Sequence, residues 1–200
     1  MLVRNAIDPA IEAIAEVYAA EPRPEAVATA LALRAALPLN WPPAPPCPMD
    51  AAIRACLANS DHPVAQAALA AQDQLSWGAN PVAGQMTDQA AAICAVLTLL
   101  DPEGPIPHPG FRVGLLYMSP HSYYPLHDHD ADETYVIVAG AAEWTAGPDR
   151  RWRGAGEAIH HPSHMPHAFR TGDQGMVALW RWSGDINTQS YRFLPDPDAA

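Results

Sequence analysis

Apolar residues in the first hundred positions recur at the spacing of an α-helix. Ile7, Ile11, Ile14 and Tyr18 form one such stripe, because residues three or four positions apart share a helix face. Pro24 marks the start of a second helix, since proline is well tolerated in the first helical turn. The same Ala-rich pattern predicts three more helices, near residues 49–58, 62–75 and 86–100. The proline-rich residues 38–48 interrupt it and predict a loop.

The pattern changes after a Pro/Gly-rich linker at residues 101–110. Short runs of β-type residues then alternate with turn signals such as Gly147-Pro148-Asp149. The predicted strands are residues 111–118, 133–139, 141–146, 157–161, 166–170 and 176–182. Many short strands at this spacing favour a sandwich or a small barrel. We therefore expect an α+β chain that is mainly β in its catalytic part, with a helical region over residues 1–105 and a β-barrel over residues 106–200.

Charge and composition argue against several classes of function. The chain of 200 residues carries a formal net charge of −11, which argues against nucleic acid and against an anionic membrane surface as partners. All eleven basic residues are arginine, so Schiff-base chemistry on a lysine is excluded. A small-molecule partner is the expectation that remains.

The location expected from the sequence is the cytoplasm. The three cysteines, Cys47, Cys56 and Cys94, are odd in number and widely spaced, which favours reduced thiols over a disulfide framework. Acidic residues interrupt the apolar run of the first eighteen positions, which makes it a poor signal peptide. No uninterrupted apolar run is long enough to predict a membrane span.

The candidate chemistry lies in a cluster of histidines. His127, His129 and Glu133 follow one another at the spacing His-x-His-x3-Glu, and His167 comes later. Residues two apart on a strand point to one side, so both histidines can aim at a common point, with Glu133 and His167 joining from other strands. Three nitrogens and one carboxylate suit one divalent transition metal ion such as Zn, Fe, Mn, Ni or Co.

These residues and a second motif, Gly156-x5-Pro162-x-His164-x2-His167, resemble the two signature motifs of the cupin superfamily. The resemblance implies a double-stranded β-helix, or jelly-roll barrel, that holds a metal on His127, His129, Glu133 and His167. The chain departs from the motifs at three positions. His121 and His164 stand where cupins usually have glycine, and Thr171 where they have asparagine. These positions affect turns and not ligands.

A closer resemblance is to the Q-type cupin dimethylsulfoniopropionate (DMSP) lyases, which join a helical N-terminal half to one cupin barrel. Their local pattern has Tyr124 before the first metal histidine and Tyr135 two residues after the metal glutamate, in the segment YYPLHDHDADETY. A late pocket tryptophan is matched by Trp182. The family cleaves DMSP by β-elimination into dimethyl sulfide and acrylate.

The resemblance assigns a role to each group. The metal would bind the substrate carboxylate and stabilise an enolate-like transition state. Tyr135 points into the same cavity as Glu133 and is the predicted general base, with Tyr124 orienting the substrate or replacing Tyr135 as the base. Tyr124, Trp182, Tyr123 and His164 form the predicted substrate-binding set, since aromatic faces attract a sulfonium cation.

Other functions fit the same ligands. A cupin dioxygenase acting on a small organic acid would use this site with Fe(II), and a sugar isomerase is a further alternative. A non-enzymatic metal-binding sensor would also combine helices with a cupin, although residues 1–100 lack compact zinc-ligand spacing. The chain is expected to be a monomer or a homodimer, with its helices capping the barrel, forming a lid or making the dimer interface.

Overall fold

The computed structural model describes residues 6–39 and 41–199. Two stretches named above lie outside that part. They are residues 1–5, at the start of the poor signal-peptide candidate, and Asn40, in the proline-rich loop. The helices in that part of the chain are α1 (Ile7–Ala20), α2 (Pro24–Ala35), α3 (Asp50–Ala58), α4 (Pro63–Ala70) and α5 (Asp88–Ala92), with 3-10 turns at Gln72–Gln74, Ala83–Gln85 and Pro197–Ala199. Helices α1 to α4 confirm the first four predicted helices. The described residues of the proline-rich segment form neither helix nor strand.

The strands among the described residues are β1 (Cys94–Asp101), β2 (Ile106–Pro107), β3 (Arg112–Met118), β4 (Tyr123–Asp128), β5 (Asp132–Ala146), β6 (Asp149–Gly154), β7 (Ala158–His161), β8 (His167–Ser183) and β9 (Arg192–Phe193). Two pairs of predicted strands are each one long strand, β5 and β8. Gly140, which predicted a turn, has φ of 71° and lies at a register shift inside β5. The glycine therefore makes a β-bulge, which bends the strand without ending it.

The helix predicted near residues 86–100 is wrong over most of its length. Helix α5 ends at Ala92, and residues 94–101 form strand β1, which pairs antiparallel with β3. A short apolar run such as CAVLTLL fits a buried strand as well as a buried helix, and here the pairing with β3 decides. The sheet thus begins before the predicted linker, and the division into residues 1–105 and 106–200 stays a prediction.

The strands belong to one sheet, in the order β2-β1-β3-β8-β4-β9, with β5 pairing to β6, β7 and β8. Pairing is antiparallel except between β1 and β2. The long strands β5 and β8 run side by side along most of their lengths, on either side of the bulges. Within residues 6–39 and 41–199 the hydrogen bonds do not close the sheet into a complete barrel.

The two faces of the sheet have separate cores. Tyr135, Ile137 and Trp180 belong to a cluster on the inner face, whereas Val136 and Leu179, their neighbours in β5 and β8, belong to a cluster that includes the buried residues of α1 to α4. Because side chains alternate along a strand, one face of the sheet encloses a polar site while the other anchors the helices.

A buried ion pair fastens the helical layer to the sheet. Arg181 in β8 is fully buried, and its guanidinium donates to both carboxylate oxygens of Glu21 at 2.8 and 3.0 Å. It also donates to Thr134 at 3.2 Å and lies over the ring of Tyr18. Glu21 directly follows α1, so the pair joins the end of that helix to two neighbouring strands.

The three cysteines form no disulfide. No helix in the described part of the chain is long and apolar enough to cross a bilayer.

Replacing Glu21 by alanine leaves the Arg181 guanidinium buried without its carboxylate partner. We expect the free energy of unfolding to fall by about 3–5 kcal/mol, the usual cost of breaking a buried pair from one side. The measurement is the urea unfolding midpoint. Glu16→Ala is the control, because the Glu16 carboxylate pairs with Arg34 at an exposed position and exposed pairs contribute little. Equal midpoint shifts in the two variants would contradict the assignment.

Candidate metal centre

The curled sheet brings the four predicted ligands to one place. His127 lies near the end of β4 and His129 just beyond it, Glu133 is in β5, and His167 begins β8. Each side chain is at most 2% exposed. Ligand atoms of His129, Glu133 and His167 lie within 4.8 Å of one another. His127 is outside this group of three but adjacent to it, with its ring centroid 3.9 Å from that of His167.

Backbone carbonyls orient all three imidazoles in the same way. The Nδ1 atom of His127 lies 2.7 Å from the carbonyl of Pro125, that of His129 lies 3.1 Å from Ala131, and that of His167 lies 2.8 Å from Met165. A carbonyl only accepts, so each Nδ1 carries a proton, and in the neutral ring the Nε2 lone pair is left for a metal. This is the arrangement by which proteins prepare histidines for a metal.

The Glu133 carboxylate is held from several sides. Trp182 donates from Nε1 to Oε1 at 2.7 Å. Oε2 lies 3.1 Å from Nε2 of His129, 3.2 Å from Nε2 of His167 and 3.5 Å from Nδ1 of His161. Burial opposes ionisation, but these imidazoles outweigh it and hold the pKa of the Glu133 carboxyl well below its usual range. The group is therefore a carboxylate at neutral pH.

The residues fit a divalent transition metal ion. The buried Nε2 of His167 has no hydrogen-bond partner within the described residues, and it faces a carboxylate oxygen that also accepts. Buried acceptors without donors are costly, and a cation between them removes that cost. Imidazole nitrogen and carboxylate oxygen are ligands that zinc and its first-row neighbours accept.

The two predicted catalytic tyrosines line the cavity beside this group. Tyr135 and Tyr124 are 7% and 2% exposed, and both border the same cavity as His127, His129 and Glu133. Burial raises the pKa of both phenols, and the Glu133 charge raises that of Tyr135 further. The hydroxyl of Tyr191 donates to that of Tyr124 at 2.8 Å, which fixes the position of the Tyr124 hydroxyl.

Only some of the predicted substrate-binding residues border the cavity. Trp182 borders the cavity, and its ring packs against His129 at 4.4 Å between centroids. Tyr123 and His164 are not among the residues that line it. The hydroxyl of Tyr123 donates to Asp196 at 2.8 Å, and His164 is exposed and lies 3.2 Å from Asp130.

Three arginines that could bind a carboxylate in two-point fashion already have protein partners. Arg112 borders the cavity but is paired with Asp101, and its Nε donates to a backbone carbonyl. Arg181 is held by Glu21. Arg170 lies over the ring of Tyr123.

The two histidines that replace motif glycines are the positive-φ non-glycine residues of the described chain. His121 has φ of 51° and His164 has φ of 62°, in the left-handed region that glycine usually fills. Thr171, in place of asparagine, donates to the carbonyl of Ser119 at 2.6 Å and accepts from the Ser122 N–H. His121 and His164 thus lie at turns, as expected, whereas Thr171 lies within β8 and its hydroxyl bonds the backbone of the turn at residues 119–122.

Sequence reasoning missed several residues around the site. Tyr191 and Trp180 line the cavity, as does the segment Asn80–Val82, which precedes the sheet. His161 is 1% exposed and stacks on His167, with 4.0 Å between the ring centroids. Alternation gave a partial signal for Trp180, because it is two residues from Trp182. Nothing in the local sequence marks Tyr191 or Asn80.

Comparison with known proteins adds to this geometry. The family model described as dimethylsulfoniopropionate lyase matches residues 25–178. The DMSP lyase DddQ of Ruegeria pomeroyi is 35% identical over 127 residues, which cover 63% of this chain and 61% of that protein. The alignment therefore spans about three fifths of the curated relative.

Solved structures agree on the fold. A chain from the crystal structures of the DMSP lyases RdDddP and RnDddQII matches with a TM-score of 0.72 at 23% identity, over 96% of this chain and 99% of that one. The crystal structure of DddQ from Ruegeria pomeroyi matches with a TM-score of 0.61 at 31% identity, over 90% and 94%. The predicted cupin fold with its helical extension is confirmed. With a family model covering more than half of its length, this chain belongs to the DMSP lyase family.

Proposed function

We propose that this chain is a metal-dependent lyase that cleaves DMSP by β-elimination into dimethyl sulfide and acrylate. The observation that carries the proposal is the convergence of three buried ligand atoms within 4.8 Å, in a cavity also lined by two buried tyrosines. Membership of the DMSP lyase family supports the same substrate.

One divalent ion of Zn, Fe, Mn, Ni or Co would be held by His129, Glu133 and His167, with His127 as the fourth ligand. Their Nε2 lone pairs and the carboxylate already face one another. The bound ion would withdraw charge from the substrate carboxylate and favour the phenolate form of a nearby base.

The reaction removes one proton from the carbon next to the substrate carboxylate. The electron pair of that C–H bond becomes the new double bond, and the C–S bond breaks with its pair remaining on sulfur. Tyr135 takes the proton, since it borders the cavity two residues from Glu133 in β5. Tyr124, fixed by the Tyr191 hydroxyl, orients the substrate.

The sulfonium end of the substrate would lie against aromatic faces. Trp180 and Trp182 border the cavity and meet edge to face at 6.5 Å, and a cation over an indole face is attracted by its quadrupole. Tyr123 and His164 are not part of this proposed binding set, because neither of them is among the residues that line the cavity.

A dioxygenase would use the same ligands with Fe(II), and strictly anaerobic turnover distinguishes the lyase from it.

The cytoplasmic location and the monomeric or homodimeric state stay predictions. The helices cover the outer face of the sheet, whereas the segment Asn80–Val82 borders the cavity.

Removing the Trp182 donor should weaken metal binding. In Trp182→Phe the Oε1 atom of Glu133 loses its 2.7 Å hydrogen bond, and loss of such a contact typically costs about 10–100-fold in metal affinity. The measurement is the zinc dissociation constant by competition with a chromophoric chelator. Trp180→Phe is the control, because its Nε1 has no hydrogen-bond partner within the described residues. Equal affinities of the two variants would refute the role of Trp182.

Replacing Tyr135 by phenylalanine should abolish elimination while leaving the metal bound. We expect kcat to fall on the order of 10²–10⁴-fold, the usual contribution of a general base. Dimethyl sulfide and acrylate are followed together from DMSP, under anaerobic conditions, with metal content measured on the same samples. His129→Ala is the comparison variant and should lose both metal and activity. Turnover by Tyr135→Phe at the wild-type rate would exclude Tyr135 as the base.

A further inference from the structure

A fourth buried histidine contacts the Glu133 carboxylate without sharing the orientation of the predicted ligands. His161 in β7 is directly opposite Glu133 in β5, and Trp182 in β8 is opposite Glu133 on its other side. The carboxylate is therefore flanked by one residue from each neighbouring strand. Nδ1 of His161 lies 3.5 Å from Oε2, and Nε1 of Trp182 lies 2.7 Å from Oε1.

The proton on His161 is placed by Trp144. The indole Nε1 of Trp144 lies 3.0 Å from Nε2 of His161, and an indole nitrogen only donates. Nε2 must therefore accept, which excludes both the charged ring and the tautomer with its proton on Nε2. The proton of His161 is on Nδ1, the atom that faces Glu133.

This arrangement is the reverse of that at the predicted ligands. His127, His129 and His167 place their protons against backbone carbonyls and direct Nε2 lone pairs to the site. His161 directs an N–H to the site instead, and Nδ1 has no hydrogen-bond partner within the described residues; Oε2 of Glu133 lies 3.5 Å from it. A buried N–H without an acceptor is costly, and Oε2 of Glu133 is the acceptor within reach.

We propose that His161 is a positioning residue that, with its tautomer fixed by Trp144, donates from Nδ1 to Oε2 of Glu133 and so orients this carboxylate toward the metal. The proposal rests on the proposed metal-dependent function. Trp182 and His161 then hold the two oxygens from opposite strands, and the carboxylate cannot rotate between the imidazoles of His129 and His167. The ligand geometry is thus set before a metal arrives.

The tautomer is tested directly by the ring ¹⁵N chemical shifts of His161 at neutral pH, in the metal-free and the zinc-loaded protein. The signal is assigned by its loss in His161→Gln. We expect a protonated Nδ1 and an unprotonated Nε2 in both states, and a mixture of tautomers in Trp144→Phe. A proton on Nε2, or a charged ring, overturns the proposal. The tautomer is read from the wild-type protein, so the result does not depend on how well Trp144→Phe folds.

Two variants separate the contacts of His161. The asparagine amide nitrogen in His161→Asn occupies the place of Nδ1 and can donate to Glu133, whereas the glutamine side chain in His161→Gln reaches the place of Nε2 and can accept from Trp144. The zinc dissociation constant should rise about 10–100-fold in the glutamine variant and change by less than about 3-fold in the asparagine variant. The visible spectrum of the cobalt-loaded protein should change in the glutamine variant alone. Equal dissociation constants in the two variants would show a merely structural role.

The outcomes also separate this proposal from the proposed function. If zinc affinity falls in His161→Gln but not in His161→Asn, and the protein does not cleave DMSP, the role of His161 is supported and the lyase function is refuted. Cleavage of DMSP with equal zinc affinity in both variants supports the lyase and refutes His161. A wild-type protein that binds no zinc and no cobalt refutes the metal centre on which both depend.

Discussion

A buried carboxylate at the centre of the curled sheet is the constraint on which the rest of the site depends. An ionised Glu133 that is 2% exposed would be prohibitively unstable without compensation, because a low-dielectric interior disfavours an unpaired charge. Strand β5 supplies the compensation through its position between β7 and β8, whose residues opposite Glu133 are His161 and Trp182. The antiparallel register thus places His161 and Trp182 beside the charged carboxylate. The same register places Tyr135 opposite Trp180 in the cavity.

The strands that build the site also carry the helical layer. Successive residues of β8 point to opposite faces, so Trp180 and Trp182 line the cavity while Arg181 between them is held by Glu21 at the end of α1. Thr134, between Glu133 and Tyr135, accepts from the same guanidinium. Arg181 therefore joins the end of α1 to the two strands that carry Glu133 and Trp182.

Much of this site could be predicted from sequence because the period of a strand is two. His127 and His129 are two residues apart, as are Glu133 and Tyr135, and this spacing predicts a shared direction within each pair. The structure places all four around one cavity, although His129 lies just beyond β4. The lengths of β5 and β8 could not be predicted. Gly140 is typical of a turn, but in the structure it forms a β-bulge within the pairing of these two strands. The pattern at β1 also predicts a helix, because a short apolar run has no decisive period. The tautomer of His161 depends on Trp144, seventeen positions away, and such a contact exists only once the strands have paired.

The central claim is that preset Nε2 lone pairs and a fixed carboxylate form one metal site. A crystal structure of the cobalt-loaded protein, with anomalous data collected at the cobalt edge, tests it most directly. The account predicts one anomalous peak per chain, bonded at about 2.0–2.2 Å to Nε2 of His129, to Nε2 of His167 and to a Glu133 oxygen, with each Nδ1 still facing its backbone carbonyl. A peak elsewhere, or a metal bound through Nδ1, would contradict it.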